Sequence, residues 1–186
     1  MQTAGLVLAA GAGRRYGMPK ALVRLDGQLL VERAAATLTA AGLDRVLVVV
    51  GAAAGDVRAA APGLDTVHNP DWATGMASSL RTGLTALTAT PAGAAMVLLV
   101  DMPGVTPDAV RRVAAHAAPA ALAMGAYDGR RSHPVLLGRD HWPGVLATAH
   151  GDRGARDYLR AHAAEVRLVP VGDVADDTDL DVPPGA

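Results

Sequence analysis

A single lysine, Lys20, closes the stretch Leu8-Ala9-Ala10-Gly11-Ala12-Gly13-Arg14-Arg15-Tyr16-Gly17-Met18-Pro19-Lys20, and all the other side chains among the 17 lysines and arginines are arginine. An ammonium is a compact point charge on a flexible stem, suited to one phosphate oxygen rather than to a bidentate fork. The glycines ahead of it let backbone N–H groups close on an anion that Arg14, Arg15 and Lys20 would neutralise. A plain tight turn is the simpler reading of Gly11-Ala12-Gly13, and chance could leave one lysine in a loop. Counting disposes of two common phosphate loops. A dinucleotide fingerprint from Gly11 needs glycine at position 16, where Tyr16 stands, and no acidic residue closes a second strand at Val50. A Walker loop needs glycine directly before the lysine, where Pro19 stands.

Asp101 follows the apolar run Met96-Val97-Leu98-Leu99-Val100. A carboxylate at the end of a buried strand is placed to hold Mg²⁺, which takes oxygen ligands and shares them with substrate phosphates. Asp101 is not needed as a helix cap, because Thr106-Pro107 already marks the next helix start. Other polar strings have plain readings. Thr74 reads as an N-cap with Leu80, Leu84 and Leu87 as core at helical spacing. Gly151-Asp152-Arg153-Gly154 reads as a turn with a surface ion pair, and His133 as structural. The six histidines are scattered with no pair at metal-ligand spacing, so zinc is not expected.

These residues need a scaffold, and the hydrophobic pattern supplies one. Strands are predicted over 5–9, 45–51, 65–68, 95–101, 120–127, 134–137 and 166–170. Helices are predicted over 30–41, 54–61, 76–88, 107–118, 140–147 and 152–163. Runs that are apolar at every position, such as Val46-Leu47-Val48-Val49-Val50, suit strands covered on both faces of a parallel sheet. The alternation of strand and helix predicts an α/β fold, three-layered and Rossmann-like, with helices on both faces of a mostly parallel sheet. Ligands of such sheets collect beyond the carboxyl ends of the strands, where the first loop and Asp101 both fall.

At 186 residues the chain fits one domain with a real core, needing no disulfide or metal staple. Hydrophobic residues make up 51%, but without phenylalanine and with long alanine runs the core must be built from small side chains. No apolar run approaches the ~20 residues that span a bilayer, and no basic flank or cleavage site precedes the first strand, so neither membrane nor secretion is expected. Zero cysteines excludes thiolate chemistry and disulfides and fits a cytoplasmic protein. A net charge of −1 and 3% aromatics argue against nucleic acid as a partner.

The stretch 8–22 resembles the signature of nucleotidyltransferases built on a glycosyltransferase-like α/β fold. Four further strings narrow this. They are Val97-Leu98-Leu99-Val100-Asp101-Met102-Pro103, the segment from His68 through Gly75, Ser78 and Ser79 to Leu84, Arg131-Ser132-His133-Pro134, and His150-Gly151-Asp152-Arg153-Gly154-Ala155-Arg156. In this order they are similar to the molybdenum cofactor cytidylyltransferases from Leu6 to about Pro183. Ser132 stands where that family has glycine, and Asp179-Leu180-Asp181-Val182-Pro183 carries valine where it has threonine.

The resemblance implies transfer of CMP from CTP to the phosphate of molybdenum-bound molybdopterin, with loss of pyrophosphate. It implies catalytic roles for Arg15, Lys20 and Asp101. Leu8, Ala9, Ala10, Gly11, Ala12, Gly13, Gly75, Ser78 and Ser79 would bind nucleotide, and His133, Gly151, Asp152 and Arg156 the acceptor. Mg²⁺ would be held by Asp101 and Asp181. CTP is favoured over GTP because the GTP users commonly read Leu-Ala-Gly-Gly where Leu8-Ala9-Ala10-Gly11 stands. A molybdoenzyme or its chaperone is the implied protein partner. The alternatives are a guanylyltransferase, a sugar- or alditol-phosphate nucleotidyltransferase, and a non-catalytic cofactor chaperone.

Overall fold

The computed structural model describes residues 1–181. In chain order the strands are Thr3–Ala9 (β1), Arg24–Leu25 (β2), Gln28–Leu29 (β3), Arg45–Val50 (β4), Asp65–His68 (β5), Ala94–Leu99 (β6), Leu122–Tyr127 (β7), Arg130–Gly138 (β8) and Val166–Pro170 (β9). The helices are Leu30–Ala40 (α1), Ala54–Ala60 (α2), Met76–Thr88 (α3), Pro107–Ala114 (α4), Trp142–Thr148 (α5) and Arg156–Ala161 (α6). Seven strands form one sheet in the order β5-β4-β1-β6-β8-β7-β9, and β2 and β3 form a separate two-stranded ribbon. Only β8 runs antiparallel to its neighbours β6 and β7. The expected mostly parallel α/β sheet is therefore present.

Every residue of β1 is buried, because both faces of the sheet are covered. Side chains alternate across it. Val7 and Ala9 join Val48, Val50 and Leu98 under α1, α2 and α4, while Leu6 and Leu8 join Leu47, Val49 and Val97 under α3, α5 and α6. The predicted core leucines of α3, Leu80, Leu84 and Leu87, are all buried on that second face. Gly83 explains how closely α3 approaches, since a Cβ there would stand 2.5 Å from a Leu6 methyl.

Several boundaries differ from expectation for local reasons. β8 starts at Arg130 rather than near 134, because Asp128 (φ 50°) and Gly129 (φ 78°) turn the chain into a hairpin with β7. The same Asp-Gly pairing, Asp26 (φ 52°) and Gly27 (φ 82°), links β2 to β3, which the hydrophobic pattern did not predict. The helix expected over 152–163 is divided by Gly154 (φ 53°). A short 3₁₀ turn, Gly151–Arg153, precedes it and α6 follows. α4 ends at Ala114 instead of 118, as the chain turns ahead of Pro119. Thr106 caps α4 as predicted, its hydroxyl accepting from Ala109 N at 3.3 Å.

After β9 the chain runs back toward the carboxyl end of β6. Asp173 makes a two-pronged pair with Arg112 at 2.6 and 2.8 Å, and Thr106 Oγ1 donates to Val174 O at 2.9 Å. Asp176 N donates to Gly104 O at 3.1 Å and Leu180 N to Asp101 O at 2.9 Å. These bonds bring the acidic string 176–181 beside Asp101. Val182 and Pro183 of the resembling string, and the last residues of the tail, lie outside the described residues. Among the described residues no helix is long and apolar enough to cross a membrane.

Candidate active site

β1 delivers the first loop at its carboxyl end. Ala10 O accepts from Ala52 N at 3.0 Å, and Gly51 is tight against Ala10 and Trp72, so the loop's entry is held by two neighbouring connections. Gly17 N donates to Gly13 O at 2.8 Å, folding the loop back on itself. Gly13 has φ 61°, and a Cβ there would overlap the Met18 carbonyl oxygen, so this position demands glycine. The N–H groups of Gly11, Ala12 and Gly13 have no acceptor among the described residues. Three consecutive unpaired donors are available to an anion.

The loop ends in a 3₁₀ turn, Lys20–Leu22, anchored by buried Ala21. It presents Lys20 to two carboxylates. Lys20 Nζ donates to Asp101 Oδ2 at 2.7 Å and to Asp181 Oδ1 at 3.0 Å, and Arg15 Nη1 lies 3.5 Å from Asp181 Oδ2. Burial alone would lower the Lys20 ammonium, but its hydrogen bonds to Asp101 and Asp181 and their charges outweigh that and raise it. The hydrogen bond and charge of Lys20 in turn hold Asp181 below the usual carboxylate range. Partial burial, then the charges of Asp101 and Asp181, raises neighbouring Asp179.

Asp101 is set by the β6–α4 connection, where Val100 N donates to Leu8 O at 3.2 Å and Met102 is buried. Among the described residues no group of three or more histidine or acidic side chains is arranged to hold a metal. Two carboxylates nevertheless suit Mg²⁺ or Mn²⁺, because such ions are commonly held by one or two carboxylates and completed by substrate phosphates rather than by an all-protein cage.

Beside this pair opens a cleft of about 580 Å³. Its floor is aliphatic, with Leu8, Leu80, Val97, Met124 and Leu137. Its rim is charged, with Arg130, Arg131, Arg153, Arg156 and Arg160, and with Asp177 and Asp179. Arg130, Arg153 and Arg160 have carboxylate partners, whereas Arg131 and Arg156 have none among the described residues. His133 lies in the cleft wall on β8. Burial pushes its imidazole down to about 4, against the charges of Asp101 and Asp177, so the ring is neutral at pH 7. Tyr127 Oη donates to the His133 carbonyl at 3.0 Å, and burial pushes that phenol up to about 12.

The profile of the MobA-like NTP transferase domain matches residues 5–166, which includes the glycine loop, Asp101 and the cleft wall. The chain belongs to this family. It is a MobA-like nucleotidyltransferase with the enzyme class that the family implies. Among its relatives, nicotine blue oxidoreductase of Paenarthrobacter nicotinovorans is 37% identical over 95% of this chain and 91% of its own length. Molybdenum cofactor guanylyltransferase of Rhodobacter capsulatus is 33% identical over 78% of this chain and 68% of its own. The solved structure of Rv0371c from Mycobacterium tuberculosis H37Rv superposes with a TM-score of 0.83 at 32% identity, covering 96% of this chain and 93% of that one. A complex of the same protein with manganese gives 0.77 at 30% identity, covering 96% and 94%.

Within this MobA-like site the sequence-chosen residues fall into three groups. Residues 8–13, Arg15, Lys20, Asp101 and Asp181 come together at one sheet end. His133 and Arg156 line the cleft, whose wall also holds Arg153 and Gly154. Gly75, Gly151 and Asp152 join the β5–α3 and α5–α6 connections to each other, and Ser78 and Ser79 are tied to Asn69 within the first. Gly75 has φ 116°, and a Cβ there would stand 2.5 Å from the Gly151 carbonyl. Asp152 Oδ1 accepts from Met76 N at 3.4 Å, capping α3 where Thr74 was expected to do so. Thr74 stands one residue too early, because Gly75 is the N-cap position.

Ser78 and Ser79 both accept from Asn69 Nδ2, at 2.8 and 3.0 Å. Asn69 is 1% exposed and its Oδ1 accepts from Asp71 N at 3.0 Å, so it organises the whole β5–α3 connection. Sequence reasoning missed Asn69, and the signal for it was an Asn-Pro pair directly after a strand. It also missed Arg131, Asp177 and Asp179 as cleft residues.

Proposed function

We propose that this chain transfers CMP from CTP to the phosphate of a molybdenum-bearing pterin and releases pyrophosphate. The observation that carries the nucleotidyl-transfer part is the bracket of Lys20 by Asp101 and Asp181 beside the unpaired N–H groups of residues 11–13. That arrangement offers donors for a triphosphate and oxygens for a divalent cation in one place. Leu8-Ala9-Ala10-Gly11 supports cytosine through its resemblance to the CTP users.

The chain's own groups divide the work. Backbone N–H groups of Gly11, Ala12 and Gly13 orient the triphosphate, and Arg15 and Lys20 neutralise charge on the departing pyrophosphate. Asp101 and Asp181 would hold a divalent cation, which when bound would draw off negative charge at the α-phosphate. An oxygen of the acceptor's phosphate forms the new bond to the α-phosphorus as the α–β bridging bond breaks and its electrons leave with pyrophosphate. The acceptor is anionic at neutral pH, so no general base is required, and catalysis is positioning plus charge stabilisation. Neutral His133 and the unpaired Arg131 and Arg156 face the acceptor. The aliphatic floor suits a flat ring better than a polyol, which favours a pterin over a sugar or alditol phosphate.

Pyrophosphate release measured with CTP, GTP, ATP and UTP, each with molybdenum-loaded pterin and with sugar phosphates, tests this directly. CTP with pterin is expected to be the fastest pair. Faster turnover with GTP overturns the base assignment, and faster turnover with a sugar phosphate overturns the acceptor.

The relative named nicotine blue oxidoreductase motivates a second reading, in which the cleft floor receives the dye nicotine blue for reduction. Loss of the dye's colour with a reduced nicotinamide as electron donor, undiminished in Asp101→Asn, would select it. Under the nucleotidyl-transfer reading no such bleaching occurs.

A further inference from the structure

Lys20 occupies the oxygens that a divalent cation needs. Its ammonium touches one oxygen of each carboxylate, Asp101 Oδ2 and Asp181 Oδ1, from segments 81 and 161 residues away in sequence. The lysine side chain is 15% exposed and Asp101 20%, so the contact is shielded, whereas Asp181 at 48% stands on the open side. An ammonium has three N–H donors, and the two carboxylates account for two of them. The third is available to an arriving phosphate oxygen. The loop that carries the unpaired donors of residues 11–13 folds back onto Met18 and Lys20, so a triphosphate seated there lies within reach of the lysine's flexible stem.

We infer that Lys20 is the resident counter-ion of the Asp101–Asp181 pair, and that it transfers to the triphosphate so that the divalent cation can take its place. This rests on the reading of the pair as the cation site. Nucleotide and cation then bind cooperatively through one side chain. A cation arriving alone must expel the lysine, whereas a bound triphosphate has already drawn it off. The coupling is reciprocal, each ligand strengthening the other by the same factor, roughly 10-fold to 100-fold.

Two measurements on the full chain test this. In the first, Mn²⁺ without nucleotide is titrated by its spin-resonance signal into wild type, Lys20→Met and Asp101→Asn. Lys20→Met is expected to bind Mn²⁺ at least roughly tenfold tighter than wild type, and Asp101→Asn to lose binding. If Lys20→Met binds no tighter while Asp101→Asn loses binding, the cation site stands and the lysine exchange is overturned. If Asp101→Asn binds as wild type does, or if no protein binds Mn²⁺, the cation-site reading itself fails.

The second measurement needs no variant. Because Lys20 is the only lysine, ¹⁵N-lysine labelling yields one side-chain ammonium signal. Inorganic tripolyphosphate without metal is expected to shift it, and so is saturating Mg²⁺ alone. A signal indifferent to both overturns the exchange.

Discussion

The two halves of the site are built in opposite ways. The side proposed for the triphosphate is made of backbone donors and paired charges, Lys20 held between Asp101 and Asp181, with glycine demanded at position 13. The side proposed for the acceptor is an aliphatic floor under a rim where Arg131 and Arg156 have no partner among the described residues. A charge paired within the protein gives way only to a ligand that competes for it, and so serves chemistry common to many substrates. An unpaired guanidinium above an apolar floor is held in reserve for one class of anion, so it sets which substrate enters.

Breaking the paired half should cost most. Asp101→Ala is expected to lower kcat by roughly a thousandfold, about 4 kcal/mol, while nucleotide binding stays measurable by calorimetry. Unchanged turnover would remove Asp101 from the reaction. Outside both halves, Gly75→Ala should cost about 3 kcal/mol of stability, because a side chain there meets both a positive φ and the Gly151 carbonyl. Denaturant unfolding at fixed slope reads it. Lys20→Arg preserves charge but replaces a point with a fork, and kcat/KM should fall by roughly a hundredfold. Near-wild-type activity would mean that any cation serves between the carboxylates.

The unpaired half should respond more mildly. Replacing Arg131 and Arg156 together by alanine is expected to raise KM for the acceptor by roughly tenfold, leaving KM for the nucleotide unchanged. A rise in both constants would erase the distinction between the halves. The smallest effect concerns His133. Its folded imidazole stays neutral down to about 4, whereas the unfolded ring takes its proton near 6.5. Stability therefore falls as pH drops through that window and levels below it. His133→Gln should flatten this slope by on the order of 1 kcal/mol, discounted for the ring's partial exposure. An unaltered slope would place the acid sensitivity elsewhere.

Much of the paired half was legible because its signals are local. The apolar run of β6 predicts a strand, Asp101 follows it, and the glycine loop ends in the only lysine. The unpaired half was legible in part, since His133, Arg156, Arg131 and Asp179 all belong to motif strings, but only the β7–β8 hairpin and the returning tail bring Arg131, Asp177 and Asp179 to one cleft. Ser78 and Ser79 carry a structural contact that the sequence did not announce. Two hydroxyls near a glycine invite a ligand reading, and both also engage Asn69, whose burial no local pattern announces.

The amino-acid sequence by itself determined the alternating α/β order, the doubly covered strands and the glycine-rich, basic make-up of the first loop. Those follow from periodicity and backbone preference, which act over a few residues. Only the tertiary structure decided that Asp181 shares Lys20 with Asp101 across 161 residues, and that Asp152 caps a helix 76 residues away. Such contacts depend on where the whole chain carries each segment, because a hydrogen bond requires its partners within about 3 Å whatever their distance in sequence.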